Sequence, residues 1–444
     1  MKKLLFPAII LLLSLFCGAQ ETSFKFDFGS GKAKKGYTKV TPETPYSTAT
    51  GYGFDLGSRV KAIEKGSDAL TGDYITGSAP FSFSVQLPEG NYDVKVLVGD
   101  VKGTSATTVR VESRRLMLEN VTTKKGEIVE KTFTVHVRDS IIRDNKGTPI
   151  DKVRLKSREG QNKHWDNLLT IEFNDSLPKI CAVEIRPNTK AATIFLAGDS
   201  TVTDQSHDPW ASWGQMFPVF LVPGKVAVAN YAESGETLKA FENEKRFKKI
   251  FSMAKAGDYL FIEFTHNDQK PGGNHLDAFT TFKETLKKWV AEAKNRNITP
   301  VLVTSTQRRK FDTTGHIENT LLDYPEAVRQ TAKEEDIAVI DLSAMSKRLY
   351  EALGEEGSVN AFVHYPANTF PNQDKALADN THFNMYGAYE LAQCVVSSIR
   401  QQNLPLKKYV RKGTKEYNPD KPTPFPDFYW PASGVITIVK PDGN

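Results

Sequence analysis

The chain has 444 residues, of which 39% are hydrophobic, 10% aromatic and 25% charged, an ordinary globular mixture that excludes a disordered chain. This length exceeds what a single hydrophobic core usually supports, so we expect two domains with short appendages. The 58 basic and 53 acidic side chains give a net charge of +5 without a dense Lys/Arg stripe, so we expect no nucleic-acid partner.

The first 20 residues have the pattern of a secretory signal peptide. Lys2 and Lys3 give a positively charged start, an apolar run follows over residues 4–16, and a cleavage region of small residues begins at Cys17. We therefore predict that residues 1–20 are a leader and that the protein is exported, to the periplasm, the cell surface or the medium. Because the run is too short for a comfortable membrane span, we expect no transmembrane segment in the mature chain. Lipid attachment at Cys17 is the second choice.

Residues 21–178 contain short runs in which apolar and polar positions alternate, which is typical of half-buried strands. The clearest of these runs lie at residues 24–28, 81–85, 92–96, 132–137 and 169–173. Many short strands without helical patterns between them predict an all-β sandwich. Residues 179–190 are predicted to be a linker between this domain and a second one.

From residue 191 the pattern changes to buried strands that alternate with helices. Continuous apolar strands are predicted at residues 193–197, 226–230, 259–264, 300–305 and 337–341, and helical patterns at 279–295, 324–335 and 386–400. This alternation predicts a flavodoxin-like α/β domain with a parallel sheet over residues 191–405. Residues 406–444 are rich in Pro and Lys, show no period and are predicted to form an extended tail.

Polar residues directly after the predicted strands are the candidates for chemistry, because ligands of an open parallel sheet bind beyond the carboxyl ends of its strands. Ser200 follows the first strand within Gly198-Asp199-Ser200-Thr201, and we expect it to open a helix with its hydroxyl exposed, as a nucleophile. Gly235 follows the second strand and Asn267 the third. The Ser200 and Gly235 amides and the Asn267 side chain could together stabilise an oxyanion.

Asp379 and His382 are three residues apart, just ahead of the last predicted helix. One turn of chain can hold both side chains on the same side. Asp379 would then fix the tautomer of His382, and His382 would take the proton of Ser200.

These blocks resemble the SGNH/GDSL hydrolases and, more narrowly, the rhamnogalacturonan acetylesterase branch, over about half of the chain. The resemblance implies that Ser200, Asp379 and His382 form a catalytic triad, and that Ser200, Gly235 and Asn267 form the oxyanion hole. It implies a serine carboxylic-ester hydrolase that removes acetyl groups from plant cell-wall polysaccharide, with pectic rhamnogalacturonan as the favoured substrate. The expected partner is an acetylated polysaccharide or oligosaccharide, and no cofactor is needed.

Two positions depart from the pattern of that branch. Glu236 stands where the branch often has Arg, and Thr265 stands where Gly is more usual. Neither change removes a catalytic group, but both leave the lining of the substrate pocket, and hence the substrate, open. The alternatives are a polysaccharide-binding protein that has lost activity, and an esterase, lipase or thioesterase that acts on other esters.

The N-terminal domain resembles the galactose-binding-like jelly-roll modules of bacterial polysaccharide-degrading enzymes. The resemblance rests on residues 26–31, 87–92 and 165–167 and implies either a carbohydrate-binding or a packing role. Trp165 could stack on a sugar, although a core position is favoured for so large a ring.

Several further residues have open roles. His266, His364 and Asn368 are possible substrate-binding residues, with a structural histidine as the default for the first two. His207, Asp208 and His275 lack metal-ligand spacing, so we expect no metal. Cys181 and Cys394 could form a disulfide or remain two separate buried thiols, and the second alternative is favoured.

Overall fold

The structure of the protein is a computed structural model that describes residues 23–402 and 404–442. The predicted leader at residues 1–20 and Cys17 lie outside the described residues. Within them, a part made of β-sheets is followed by a part in which helices flank a parallel sheet, as the sequence predicts.

The N-terminal part is a β-sandwich. Its strands are β1 Phe24–Phe28, β2 Thr38–Val40, β3 Tyr52–Asp55, β4 Val60–Glu64, β5 Asp73–Gly77, β6 Phe81–Gln86, β7 Gly90–Gly99, β8 Ser105–Val111, β9 Arg115–Thr123, β10 Ile128–Val137, β11 Ile141–Arg143, β12 Pro149–Lys152, β13 Leu168–Leu177 and β14 Ile180–Pro187. One sheet has the order β10-β7-β14-β1-β2, with β5 on β14 and β4 on β5, and the other has the order β3-β6-β13-β8-β9.

The two sheets share one apolar core, because alternate residues of their strands point inward. The Phe83 ring of β6 lies 5.0 Å from Phe26 and 4.9 Å from Phe28 of β1, measured between ring centroids. Edge-to-face packing of aromatic rings at this distance stabilises the contact beyond the burial of area. The prediction of an all-β sandwich is confirmed.

The linker predicted at residues 179–190 is wrong, because Ile180–Pro187 is the strand β14 at the centre of the first sheet. Phe26 of β1 pairs with Val183, which is distant in the sequence, and Val96 of β7 pairs with Val183 from the other side. A local pattern does not reveal such a distant pairing. The connection to the second part is therefore only a short turn near Asn188, whose side-chain oxygen accepts hydrogen bonds from the amides of Lys190 and Ala191.

The second part is built on a five-stranded parallel sheet with the order β16-β15-β17-β18-β19. Its strands are β15 Ala192–Gly198, β16 Val226–Asn230, β17 Tyr259–Glu263, β18 Thr299–Val303 and β19 Ala338–Ile340, followed by the hairpin β20 Phe362–Tyr365 and β21 Leu377–Phe383. Its helices are α1 Trp213–Met216, α2 Leu238–Asn243, α3 Arg246–Met253, α4 Lys283–Asn295, α5 Tyr324–Glu334, α6 Leu342–Ser358 and α7 Met385–Gln401.

Alternate side chains of β15 belong to different cores, which places helices on both faces of the sheet. Ile194 and Leu196 pack with α1, α6 and α7, whereas Phe195 and Ala197 pack with α2 to α5. The predicted α/β fold with a parallel sheet is confirmed. Within the described residues, no helix is long and apolar enough to cross a membrane.

Trp165 and the two cysteines are buried. Trp165 is 8% exposed, and its ring lies 5.7 Å from the ring of Tyr231 in a core of the α/β part. It is therefore a core residue and offers no sugar platform. Cys181 and Cys394 are free thiols, so the disulfide alternative does not occur.

A turn of the β-sandwich inserts charged side chains into the second part. Arg115 donates two hydrogen bonds to Asp204 Oδ2, at 2.9 Å from Nε and 2.6 Å from Nη2, and both side chains are 1% exposed. The neighbouring Arg114 donates to the carbonyls of Gln205 and Trp210, each at 3.1 Å. Because buried charges need partners, these contacts tie the two parts together.

The C-terminal tail runs across both parts. Asn174 of the β-sandwich donates to the carbonyl of Ala432 at 2.9 Å, and Asp208 accepts hydrogen bonds from the amide and hydroxyl of Ser433, both at 2.8 Å. Further on, Lys440 Nζ lies 3.3 Å from Asp379 Oδ2. The tail thus ends beside the predicted triad.

The Arg115→Leu variant should lose about 3–5 kcal/mol of unfolding free energy, because it leaves Asp204 buried without a cation. Arg186→Leu is the control, since its pair with Glu184 has an arginine side chain that is 59% exposed, and such a pair contributes at most about 1 kcal/mol. Urea denaturation of both variants measures the difference. Equal losses in the two variants would contradict the role given to the buried pair.

Candidate active site

Ser200 lies in a tight turn directly after β15. The Asp199 carbonyl accepts hydrogen bonds from the amides of Val202 and Thr203, each at 3.1 Å, which closes the turn. Ser200 is 2% exposed, and the next helix, α1, begins only at Trp213. The expectation that Ser200 opens a helix with an exposed hydroxyl is therefore wrong.

A hydrogen-bonded chain connects the three residues predicted as a triad. His382 Nε2 lies 2.9 Å from Ser200 Oγ, and His382 Nδ1 lies 2.8 Å from Asp379 Oδ2. All three side chains are buried. This is the arrangement in which a carboxylate orients an imidazole and the imidazole accepts a hydroxyl proton.

A bulge in β21 allows Asp379 and His382 to meet. Side chains three apart on a regular strand point to opposite faces. Here Val363 pairs with Asp379 and Phe362 with Phe383, so the three residues between have no partners on β20. The extra residues turn the chain back, and Asp379 Oδ1 accepts hydrogen bonds from the amides of Thr381, at 2.8 Å, and His382, at 3.1 Å.

Asp379 is held in its ionised form. Burial acts to raise the pKa of Asp379, but the hydrogen bonds from the His382 ring and from the backbone amides outweigh burial and lower it. Lys440 of the tail adds a positive charge beside the same carboxylate. Asp379 can therefore stabilise a positive charge on His382.

The three groups predicted to stabilise the oxyanion differ in their hydrogen bonds. Within the described residues, the backbone N–H groups of Ser200 and Gly235 donate no hydrogen bond. Gly235 has a φ of +77°, a conformation that a side chain disfavours. The Asn267 amide donates one hydrogen bond to the Glu236 carbonyl at 3.0 Å and accepts one from Lys270 at 3.0 Å, so its orientation is fixed and its second N–H is available.

The possible substrate-binding residues lie in different environments. His266 is buried, both ring nitrogens lack a hydrogen-bond partner among the described residues, and burial lowers its pKa well below the ordinary value. His364 lies on β20 and contacts Asn380 Oδ1 at 2.8 Å. Asn368 is exposed in the loop of the same hairpin, and its amide donates to the Gln373 carbonyl. None of the three hydrogen-bonds to the predicted triad.

An open cavity of about 530 Å³ is lined by residues that contact the triad, but not by Ser200, Asp379 or His382 themselves. Gln205 in its wall donates a hydrogen bond to the Ser200 carbonyl at 2.9 Å, and the Trp210 ring stands perpendicular to the His382 ring at 5.7 Å. Arg158 of the β-sandwich and Lys440 of the tail also line this cavity. Sequence analysis missed these two residues, because nothing local to either of them indicates proximity to Ser200.

Two buried carboxyl groups support the turn at Ser200. Thr201 Oγ1 lies 2.8 Å from Asp199 Oδ1 and 3.1 Å from Glu263 Oε1. Burial, reinforced by Asp199, raises the pKa of Glu263 well above its ordinary value. A protonated Glu263 can donate to Thr201, whose hydroxyl then donates to Asp199. Asp199 thus shapes the turn and does not contact the predicted triad by a hydrogen bond.

The described residues contain no group of three or more His, Cys, Asp or Glu side chains that could hold a metal ion. His207 contacts Ser206 Oγ at 2.7 Å, and His275 contacts the Asp268 carbonyl at 2.8 Å.

Two family models match the chain. Residues 24–142 match the beta-agarase/YXIM esterase-like, galactose-binding domain-like family, and residues 196–388 match the GDSL-like lipase/acylhydrolase family. The rhamnogalacturonan acetylesterase RhgT of Bacillus subtilis is 44% identical over 223 residues, which are 50% of this chain and 95% of RhgT. This chain belongs to the GDSL-like lipase/acylhydrolase family. The prediction of a carboxylic-ester hydrolase of the acetylesterase type is thereby confirmed.

Another relative has a similar length. The uncharacterized esterase YxiM of Bacillus subtilis is 26% identical over 420 residues, which are 91% of this chain and 99% of YxiM. The crystal structure of YxiM covers 86% of this chain and 99% of its own chain, with 24% identity and a TM-score of 0.46. The order of the two modules in this chain follows from the two family matches, at residues 24–142 and 196–388.

Asp268, directly after Asn267, should make the stability depend on pH. Burial raises its pKa to about 8, while Oδ1 accepts a hydrogen bond from the Leu238 amide at 2.7 Å. A carboxyl group whose pKa is raised on folding contributes stability that is present at low pH and lost as pH rises through the folded-state pKa. Between pH 6 and 7, Asp268 should lower the unfolding free energy by about 1.4 kcal/mol per pH unit, and by less as the pH approaches 8.

Asp268→Asn should remove this contribution, because the amide resembles the protonated acid and does not titrate. Urea denaturation at pH 6, 7 and 8 compares its slope with that of the wild type and of the control Asp277→Asn, which changes a carboxylate that is 76% exposed. The control should keep the wild-type slope. If Asp268→Asn also keeps it, Asp268 is ionised throughout this range.

Proposed function

We propose that this esterase removes acetyl groups from plant cell-wall polysaccharide, first of all pectic rhamnogalacturonan, through an acyl-enzyme on Ser200. The observation that carries the proposal is the hydrogen-bonded chain from Ser200 through His382 to Asp379. Among the described residues, the Ser200 and Gly235 N–H groups have no acceptor. Unpaired amides in a largely buried setting are rare and fit a site that awaits an anionic oxygen.

In the first step, Ser200 Oγ attacks the acetyl carbonyl carbon while His382 Nε2 takes the hydroxyl proton. The carbonyl oxygen becomes an oxyanion, which accepts hydrogen bonds from the amides of Ser200 and Gly235 and from Asn267. The intermediate collapses as the bond between the carbonyl carbon and the sugar oxygen breaks, and His382 gives the proton to this oxygen, which leaves as a hydroxyl group. Asp379 stabilises the positive charge that His382 carries in between.

In the second step, a water molecule attacks the acetyl group on Ser200. His382 takes a proton from this water and then gives it to Ser200 Oγ as acetate leaves. Each half-reaction therefore uses the same base and the same oxyanion donors. No cofactor takes part in either half.

The substrate assignment rests on the relative RhgT and on the cavity beside Ser200. RhgT is named a rhamnogalacturonan acetylesterase, and 95% of its length aligns with this chain. The cavity of about 530 Å³ is open and is lined mostly by polar or charged side chains, among them Arg158, Gln205 and Glu233. Such a lining fits a hydroxylated polymer better than a long acyl chain, which needs an apolar channel.

We further propose that the protein acts outside the cytoplasm. The pattern of residues 1–20 supports export, and a polymer of the plant cell wall is met only outside the cytoplasm.

Ser200→Ala should abolish acetate release, with a loss of kcat on the order of 10⁴-fold or more, because the nucleophile is gone. The assay uses acetylated rhamnogalacturonan, xylan and mannan, together with a small chromogenic acetate ester. Ser176→Ala, which removes an exposed hydroxyl of the β-sandwich, should keep wild-type activity. Acetate release by Ser200→Ala at the wild-type rate would exclude the mechanism. A preference for xylan or mannan would exclude only the substrate.

Asn267→Ala should lower kcat about 10²- to 10³-fold on the small chromogenic ester, since one donor to the oxyanion is removed. KM should change little, because the hydrogen bond forms fully only in the transition state. Steady-state kinetics separate the two constants. A rise in KM at unchanged kcat would instead assign Asn267 to substrate binding.

A further inference from the structure

The loop that carries Gly235 is held by the β-sandwich. This loop, residues 233–236 between β16 and α2, lies against the β12–β13 loop, residues 153–167. The β12–β13 loop is anchored in the hydrolase domain, because its Val153 and Trp165 belong to the hydrophobic core that also contains Tyr231. Side chains from the N-terminal module therefore reach the neighbourhood of Ser200.

Two cations of the β12–β13 loop bind one carbonyl oxygen next to Gly235. Lys156 Nζ donates a hydrogen bond to the Ser234 carbonyl at 3.0 Å, and Arg158 Nη2 donates to the same oxygen at 2.6 Å. Arg158 also donates to Glu233 Oε1 at 3.0 Å, so it holds two consecutive residues of the loop. Charge-assisted bonds of this kind are about twice as strong as neutral ones.

The orientation of this peptide decides where the Gly235 N–H points. In a planar trans peptide the C=O and the following N–H point in opposite directions. Fixing the Ser234 carbonyl therefore fixes the Gly235 N–H on the other side of the loop. Because Gly235, with a φ of +77°, has no side chain and can adopt many conformations, this peptide could rotate in the absence of such contacts.

The surrounding charges explain why cations are held at this place. Glu233 and Glu236 are both buried, and Glu236 Oε1 forms an ion pair with Lys156. Burial raises the pKa of both carboxyl groups, and Lys156 acts to lower both values. In their ionised forms the two carboxylates hold Lys156 and Arg158 in place while these cations bind the carbonyl. Hydrogen bonds to a carbonyl also polarise its peptide, which strengthens the N–H as a donor.

We propose that Lys156 and Arg158 of the N-terminal module are positioning residues for ester hydrolysis, which hold the Ser234–Gly235 peptide so that the Gly235 N–H faces the oxyanion. The inference rests on the proposed function, in which Gly235 is an oxyanion donor. It assigns to the galactose-binding-like module a part in catalysis that does not depend on sugar binding. The hydrolase domain without this module lacks the two cations.

The test uses the full chain with Lys156→Met/Arg158→Met and a small chromogenic acetate ester, which is too small to bind a sugar subsite. We expect kcat to fall about 10- to 100-fold, less than after loss of a whole donor, with KM nearly unchanged. The control is Lys152→Met/Arg154→Met, which makes the same charge change at exposed positions of the same segment. It should keep the wild-type kcat.

A second readout separates positioning from stability. Sulfur accepts hydrogen bonds more weakly than oxygen, so the ratio of kcat/KM for the acetate ester to that for its thionoacetate reports the strength of oxyanion binding. The ratio should fall in Lys156→Met/Arg158→Met, as it should in Asn267→Ala, and stay unchanged in the control. The conservative variant Lys156→Arg should keep part of the wild-type ratio, because a donor and a positive charge remain at this position.

The outcomes are distinct. A wild-type kcat in the double variant, or a lower kcat with an unchanged ratio, overturns the inference. If the double variant does not fold by circular dichroism, the single variant Lys156→Met, which keeps the Arg158 contact, decides on the same ratio. Activity that survives Ser200→Ala overturns the proposed function itself. An inactive Ser200→Ala with an unaffected ratio in the double variant overturns only the positioning role.

Discussion

The pairing of buried charges between the β-sandwich and the hydrolase domain is the constraint on which the rest of the structure depends. Arg115 is buried against Asp204, and Lys156 and Arg158 are held against the loop that carries Gly235. A buried carboxylate without a partner lowers the unfolding free energy by several kcal/mol, so breaking these contacts destabilises the protein. The loops after β15 and β16 are consequently shaped by both modules, although all residues of the predicted triad come from one.

The site gains its chemistry from groups whose positions are fixed before any substrate binds. The bulge in β21 brings His382 onto Asp379, and the tight turn after β15 brings Ser200 onto His382. Within the part of the chain that the structure describes, the amides of Ser200 and Gly235 remain without acceptors. Electrostatic stabilisation by groups that need not reorganise is the largest contribution in many hydrolytic enzymes. A rigid, largely buried arrangement of this kind suits acyl transfer to serine.

Local patterns in the sequence are reliable where an element is defined by its own residues. The strand predicted at residues 226–230 matches β16, and the helix predicted at 386–400 differs from α7 by one residue at each end. Such patterns fail where partners are distant. The strand β14 escapes prediction because its partners β1, β5 and β7 are distant in the sequence. Ser200 does not open a helix because the carbonyl and the side chain of Asp199 accept hydrogen bonds from the amides that follow and close a tight turn.

The sequence by itself determined the two folds, the family and the residue types that follow each strand, since Ser200, Gly235, Asn267, Asp379 and His382 stand in short blocks that local order makes visible. Only the tertiary structure decided which other parts of the chain meet this site. Lys156 and Ser234 are 78 residues apart, and Lys440 reaches Asp379 from the tail. No local periodicity records such contacts, because they depend on how two modules and a tail bury their charges against one another.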